Sequence, residues 1–216
     1  MTETPTILVP EAGSDRLAPV LGTADPVRIA ALPLLDAQPA ANSGPVLVRS
    51  GTLGEPGDPV AEMRTWGPEG WEALTSAVKQ ALSAGVELLV QPNAFDVLSD
   101  AQRCLGLIND IDGARVLLDP ASMLTASMLN HADDHIRRAF ESLAAHPGTV
   151  AVRLADVEPD ASDTDGRRLL TKPLGTGVLD VAAVASLVKK HSVTDRPIVL
   201  SRDHWQREAE SLGILP

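Results

Sequence analysis

Short apolar runs that each end in a polar side chain recur along the chain from residue 46 onward. The clearest endings are Gln91, Asp119, Arg153 and Ser201. Uninterrupted runs of Val, Ile and Leu are typical of strands buried on both faces, as in a parallel sheet covered by helices. Ligands meet such sheets at the carboxyl ends of the strands, so we expect these four side chains to converge on one site.

Amphipathic stretches separate the apolar runs. We predict strands over residues 46–50, 86–91, 115–118, 149–154 and 197–200. Helices are predicted over 68–84, from a cap at Ser99 or Asp100 to 112, over 122–145 with a break near Asn130, over 181–191 behind Asp180, and from the cap Asp203 to 212. Residues 51–59 and 155–177 are expected to be loops, the second either functional or mobile. Strand and helix alternate five times, which predicts a parallel sheet with right-handed crossovers.

The first 45 residues depart from this pattern because seven prolines leave little room for long helices. Residues 6–9 and 29–35 are expected to form short strands. Five strand–helix units alone would fit an open doubly wound sheet, whereas two or three further strands would close it into a barrel. We predict one α/β domain over residues 1–216, a (β/α) TIM-type barrel pared down in its N-terminal third and regular over 46–216.

Composition narrows the classes of partner. A net charge of −11 argues against nucleic acid, whose binding rests on basic surface, and against an anionic membrane surface. The sequence has no apolar run long enough to span a membrane and no secretory signal at its start. The single cysteine, Cys104, falls on the apolar face of a predicted helix and suits a reducing compartment, so we expect a core thiol and a cytoplasmic protein.

Five motifs at and near the strand ends carry a family resemblance. They are Gln91-Pro92-Asn93, Asp119-Pro120-Ala121-Ser122, Arg153-Leu154-Ala155-Asp156, Gly175-Thr176-Gly177-Val178-Leu179-Asp180 and the final Ser201. Over residues 46–212 their order and spacing resemble the xylose isomerase-like TIM barrels of the sugar phosphate isomerase/epimerase superfamily (AP endonuclease family 2-like). The chain is identified as a degenerate member, because its residues at the family's functional positions differ from those of the family.

The resemblance implies a divalent metal held by Glu, Asp, His and Glu, and of these four the sequence keeps Asp119 alone. Gln91 offers only a neutral carbonyl, and Ser201 is a poor ligand at neutral pH. Arg153 has no lone pair to donate. We therefore expect no metal and no other cofactor. Instead, Asp119 and Arg153 are expected to pair across the former metal site.

The remaining polar groups are candidates for binding a small polar, sugar-like ligand. The predicted ligand-binding residues are Arg49, Gln91, Asn93, Asp156, Lys172 and Ser201. These groups could equally satisfy one another, and Arg49 could pair with Asp119 or Glu87. A phosphate clamp of Lys172, Arg167 and Arg168 beside the glycine motif is the less favoured interpretation. For Trp66, packing before the next helix is favoured over a stacking wall for a sugar.

Three hypotheses about function follow. In the first, the barrel has lost the family's metal and binds a small polar ligand or a protein partner. In the second, it is an active metal-independent isomerase, epimerase or lyase on a sugar or sugar phosphate, with Asp119 as base and Arg153 as electrostatic clamp. In the third, it is a structural subunit whose shortened first third exposes apolar surface that a homo- or hetero-oligomer covers. The first and third rank above the second.

Overall fold

The computed structural model describes residues 5–11, 16–21, 27–30, 32–36, 45–55 and 57–215. Its strands in chain order are β1 (Ile7–Pro10), β2 (Arg16–Leu21), β3 (Val27–Ile29), β4 (Val46–Arg49), β5 (Leu88–Gln91), β6 (Val116–Leu118), β7 (Thr149–Arg153), β8 (Asp156–Pro159), β9 (Leu169–Lys172) and β10 (Ile198–Val199). Eight of them close a barrel in the order β1-β10-β7-β6-β5-β4-β3-β2, and β8 and β9 form a separate antiparallel hairpin. The predicted barrel is confirmed.

Helices follow most strands of the regular part. They are α1 (Pro59–Trp66), α2 (Pro68–Ser83), α3 (Ala101–Asp110), α4 (Ala132–Leu143), α5 (Val181–Lys190) and α6 (Trp205–Ser211). The predicted caps Asp100 and Asp180 are confirmed, since each accepts two backbone N–H bonds at the start of its helix. The predicted cap Asp203 is wrong, because α6 begins behind His204 without a side-chain cap bond. No helix of the described residues is long and apolar enough to cross a membrane.

The N-terminal third replaces two strand–helix units with a meander. β2 runs antiparallel to both β1 and β3, whereas the other neighbouring pairs of the barrel are parallel. The strand predicted over residues 29–35 is wrong in its bounds: it ends at Ile29, and residues 34–36 form a turn. β2 was missed because Pro19 cannot donate to a sheet hydrogen bond, which argues against a strand from sequence.

Three further segments differ from expectation. Residues 155–177 contain the β8–β9 hairpin and are not an irregular loop. The loop predicted over 51–59 leads into α1, which Asp58 caps by accepting from the Val60 amide. The long helix predicted over 122–145 is two 3₁₀ segments followed by α4, so the predicted break near Asn130 is confirmed and the upstream half is wrong.

Alternation along the strands builds the barrel interior in layers. Each barrel strand contributes one aliphatic side chain to a single buried layer: Leu8, Leu17, Val27, Leu47, Leu89, Leu117, Ala151 and Val199. The alternate positions pack outward against the helices, where Cys104 is also fully buried, and this burial raises the pKa of its thiol. The next inward positions toward the carboxyl ends include Ile29, Gln91, Asp119, Arg153 and Ser201. The predicted strand-end residues therefore form the layer directly above the aliphatic one.

Candidate functional site

A cavity of about 450 Å³ opens at the carboxyl ends of the barrel strands. Its polar side chains include Gln91, Arg153, Lys172 and Ser201, four of the residues predicted to bind ligand or catalyse. Its apolar side chains include Pro10, Leu17, Ile29, Leu47 and Val199. The polar residues belong to β5, β7, β9 and the end of β10, and three of the apolar ones belong to β1, β2 and β3. The meander thus supplies an apolar wall opposite the polar strand ends.

Asp119 lies beside this cavity and binds two of its lining residues. Gln91 donates from Nε2 to Asp119 Oδ2 over 2.7 Å, and Arg153 donates from Nη1 to the same oxygen over 3.3 Å. The Ser122 amide donates to Oδ1 over 3.2 Å. The Asp119 side chain is 1% exposed and that of Arg153 is 33% exposed. The predicted ion pair across the strand ends is confirmed, with its cation facing the cavity.

The residues at these strand ends do not fit the divalent metal that the family resemblance implies. Asp119 uses Oδ2 for Gln91 and Arg153, so this oxygen already has two donors. Arg153 adds a fixed positive charge, which repels a metal cation and cannot coordinate it. Among the described residues, no group of three or more His, Cys, Asp or Glu side chains is placed to hold a metal ion.

Glu208 is a site residue that the sequence prediction missed. It comes from α6, is 1% exposed and lines the cavity. Its Oε1 accepts from the Leu174 amide over 2.7 Å and its Oε2 from the Ser201 amide over 2.8 Å, which ties α6 to the end of β10. The hydroxyl oxygen of Ser201 is buried without a hydrogen-bond partner in the described structure. The sequence could have indicated this burial, because Glu208 lies on the same helix face as the apolar residues Ala209 and Leu212, which are buried.

Asp156 is fully buried and has a role that the ligand-binding prediction did not anticipate. Its Oδ1 accepts from the amides of Val157 and Leu179 over 2.8 and 2.9 Å. Its Oδ2 accepts from the amides of Gly175 and Gly177 over 3.1 and 2.9 Å. The carboxylate is thus surrounded by four donors of its own chain and does not line the cavity. The prediction that Asp156 binds ligand is therefore wrong, because Asp156 anchors the segment between β9 and α5.

The glycine motif explains why this carboxylate fits. A Cβ atom on Gly177 would lie 2.2 Å from the Val157 carbonyl oxygen and 2.5 Å from Asp156 Oδ1, so no larger residue can occupy that position. Gly175 has a φ of +80°, a conformation that favours glycine. Backbone amides arranged in this way bind anions, and here the bound anion is the Asp156 side chain. The motif therefore does not provide the phosphate site of the less favoured interpretation.

Arg49 and Asn93 do not line the larger cavity, although Arg49 pairs in register with Gln91 of the neighbouring strand. They line a smaller depression of about 250 Å³, and Thr171 of β9 lines both this depression and the larger cavity. Arg49 forms a two-bond ion pair with the buried Asp96, with Nη2 to Oδ1 at 2.5 Å and Nε to Oδ2 at 3.1 Å. Arg49 therefore pairs with neither Asp119 nor Glu87, the two alternative partners considered from the sequence. The hairpin divides the predicted single site into two.

One basic residue of the hairpin fastens it to α1, and another pairs within the hairpin. Arg167 forms an ion pair with Glu62 of α1, and this hydrogen bond raises the pKa of its guanidinium. The guanidinium also lies 5.4 Å from the Phe95 ring centroid, within range of a cation–π contact. Lys172 pairs with Glu158 over 2.7 Å at the other end of the hairpin. Arg167 and Lys172 thus pair with carboxylates of the chain and do not form a phosphate clamp.

Trp66 lies on the outside of the barrel, away from the cavity. It ends α1 and borders a surface depression together with Pro68 and Trp71 of α2. Trp66 is the residue before Gly67, the N-cap of α2, and Trp71 is the fourth residue of that helix. Apolar residues at these two positions are those that form a hydrophobic staple. The position of Trp66 before α2 is therefore consistent with the favoured interpretation, in which Trp66 packs at the start of this helix and does not stack on a sugar.

Solved structures offer several similar chains, all at low identity. D-psicose 3-epimerase from Clostridium cellulolyticum H10 is 14% identical, with 73% of this chain and 50% of that chain covered and a TM-score of 0.47. A xylose isomerase-like TIM barrel protein from Mycobacterium smegmatis, in complex with magnesium, is 12% identical, with coverages of 84% and 64% and a TM-score of 0.44. A xylose isomerase domain protein from Planctomyces limnophilus is 14% identical, with coverages of 78% and 56% and a TM-score of 0.44.

The chain spans between half and two thirds of the length of these three structures. No protein-family model and no curated protein matches it in sequence. Among solved structures, the chain is similar to xylose isomerase-like TIM barrel proteins and to sugar epimerases.

Proposed function

We propose that the protein binds a small polar ligand in the cavity at the barrel mouth, without the metal on which the resembled family relies. The observation that carries this proposal is the Arg153–Asp119 pair, which brings an arginine into the cavity at the strand ends. Its guanidinium is a fixed donor for a polar ligand and an obstacle to a cation. The carboxyl ends of barrel strands are also where ligands bind in this architecture.

The cavity has the size and the donors that ligand binding requires. Its volume of about 450 Å³ falls within the ordinary range for small-molecule sites. Gln91, Arg153 and Ser201 converge on it from neighbouring parts of the barrel, and the Ser201 hydroxyl is buried without a partner. A buried polar atom is costly unless it forms a hydrogen bond, so a ligand atom beside Ser201 would remove that cost.

A thermal-shift panel of aldoses, ketoses, their phosphates and small carboxylates tests ligand binding. We expect at least one compound to raise the Tm of the wild type by a few degrees at about 100 times its Kd, because binding to the folded state stabilises it. Arg153→Gln should remove the shift. Arg138→Gln is the matched control, since Arg138 pairs with Asp134 on the outer face of α4. A panel without any shift, or a shift that survives Arg153→Gln, would contradict the proposal.

Metal analysis tests the other half of the proposal. After dialysis against Mn²⁺ or Zn²⁺, the protein should retain far less than one ion per chain, and chelator should leave the Tm unchanged. The reason is that the strand ends offer one carboxylate, Asp119, beside a fixed cation, and that both oxygens of Glu208 already accept from backbone amides. Retention of one ion per chain that Asp119→Asn abolishes would refute the claim that this metal site has been lost.

The alternative is an active isomerase, epimerase or lyase in which Asp119 moves a proton and Arg153 stabilises the developing anion. The two side chains are adjacent, which favours it, but Asp119 is 1% exposed and would have to release a bonded donor to act as a base. Turnover in the same panel that Asp119→Asn removes would establish this alternative over simple binding.

A second candidate function is association with another copy of the chain. Val60 and Met63 lie one turn apart on α1 and are 64% and 75% exposed. Exposed apolar side chains in a row on one helix are common at interfaces. A monodisperse monomer by light scattering at high concentration would count against this candidate.

A further inference from the structure

We propose that the ligand of the mouth cavity is a small carboxylate with an apolar body, its head between Arg153 and Ser201 and its body on Pro10, Leu17 and Ile29. This inference rests on the proposed function, because it names the chemical class bound at the same site. A uniformly hydroxylated sugar is the class that it disfavours.

The apolar body is inferred from the wall that the meander builds. Pro10 and Ile29 border the cavity on one side, and Leu17, Leu47 and Val199 of the aliphatic layer border it below. Hydroxyl groups packed against this wall would lose their bonds to water and gain none from the protein, which costs free energy. Methylene groups packed there would instead gain from leaving water.

The anionic head is inferred from the cations of the lining. Three cations, Arg153, Lys172 and Arg202, line the cavity. Arg202 donates from Nε to the Pro10 carbonyl over 2.7 Å, and Lys172 pairs with Glu158, so both cations are held at the rim by partners on the chain. Within the described residues, Arg153 uses only Nη1, at 3.3 Å, which leaves most of its guanidinium donors for a ligand.

Two acidic residues, Glu208 and Asp203, line the cavity, but each repels a bound anion only weakly. Glu208 directs its two oxygens at the backbone amides of Leu174 and Ser201, which offset its charge locally. Asp203 lies at the exposed rim, where water screens its charge.

Register places the two proposed head-binding groups together. β7 pairs with β10 so that Arg153 is opposite Val199, and Ser201 lies two residues beyond Val199, after the end of β10. Arg153 and Ser201 both line the cavity. An oxyanion between them could accept from the guanidinium and from the buried Ser201 hydroxyl, which has no other partner in the described structure. Guanidinium groups bind carboxylates through two parallel hydrogen bonds, which favours a planar head.

Calorimetric titration with four probes tests this inference: pentanoate, acetate, pentan-1-ol and D-xylose. We expect pentanoate to bind about tenfold or more tightly than acetate, because three additional methylene groups leave water. Pentanoate should also bind about tenfold more tightly than pentan-1-ol, because the charged head is retained. Arg153→Gln and Ser201→Ala should each weaken pentanoate and leave pentan-1-ol unchanged, while Ile29→Ser should weaken both. The surface variant Arg138→Gln should change none of these affinities.

The outcomes separate the inference from the proposal beneath it. D-xylose binding that depends on Arg153, together with no binding of pentanoate, would overturn the inference and leave the proposed function standing. Absence of binding by all four probes and by the sugar panel would overturn both. Pentanoate binding that Arg153→Gln and Ser201→Ala leave unchanged would also overturn the inference, because the head would then lie elsewhere.

Discussion

Replacement of Asp156 with asparagine is expected to lower the free energy of unfolding by about 3 kcal/mol. The fully buried Asp156 carboxylate accepts four backbone N–H bonds, two on each oxygen. Asparagine keeps one accepting oxygen and turns an NH₂ group toward the other two amides, which then have no acceptor. Hydrogen bonds to a charged group contribute more than neutral ones, and buried unsatisfied donors are costly.

Asp180→Asn provides the matched control for this substitution. Asp180 also accepts two backbone N–H bonds, from Ala182 and Ala183, but it does so at the exposed start of α5. Asparagine is as good a helix cap as aspartate, so the change should stay within about 0.5 kcal/mol. Urea denaturation followed by circular dichroism measures both values. Equal effects of the two substitutions would show that the buried Asp156 site contributes nothing special.

Replacement of Glu208 with glutamine is expected to cost about 2 to 3 kcal/mol. Glu208 is 1% exposed and its oxygens accept from the amides of Leu174 and Ser201. Glutamine can satisfy only one of these two donors and presents an NH₂ group to the other. The loss would also loosen the end of β10, where Ser201 borders the cavity.

Glu210→Gln is the control for Glu208, because Glu210 lies on the exposed face of the same helix. It should change the free energy of unfolding by less than about 0.5 kcal/mol. The same denaturation measurement applies, and a ligand titration on Glu208→Gln shows whether the cavity is affected. A Glu208→Gln protein as stable as the Glu210→Gln protein would refute the structural role assigned to Glu208.

The barrel could be predicted because its strands carry their own signal. Apolar runs such as those ending at Gln91 and Asp119 are long, uninterrupted and separated by amphipathic helices, so their burial does not depend on distant residues. β2 carries a weaker signal, since Pro19 argues against a strand until its pairing with Leu8 is known. Local pattern was therefore sufficient for the regular two thirds and insufficient for the meander.

The candidate site was harder to predict because its divisions arise from tertiary contacts. The pairing of Asp119 with Arg153 followed from strand order and opposite charge. Partner choice elsewhere did not: Arg49 pairs with Asp96, whose position depends on the loop after β5. The hairpin that separates the two depressions has short, partly polar strands whose sequences are equally typical of loops. No pattern in the amino-acid sequence predicts that this hairpin lies over the barrel mouth.

Closure of the barrel has a consequence for the energetics of ligand binding. β1 and β10 come from opposite ends of the chain, yet they are neighbours in the barrel, with Ile7 opposite Ile198. Contacts between residues so distant in sequence close a long loop, which carries an entropic cost, so we expect this junction to form late in folding. The cavity straddles it, with Pro10 on one side and Ser201 on the other. A ligand that touches both residues binds only the closed barrel, and its affinity is thereby coupled to the joining of the two ends of the fold.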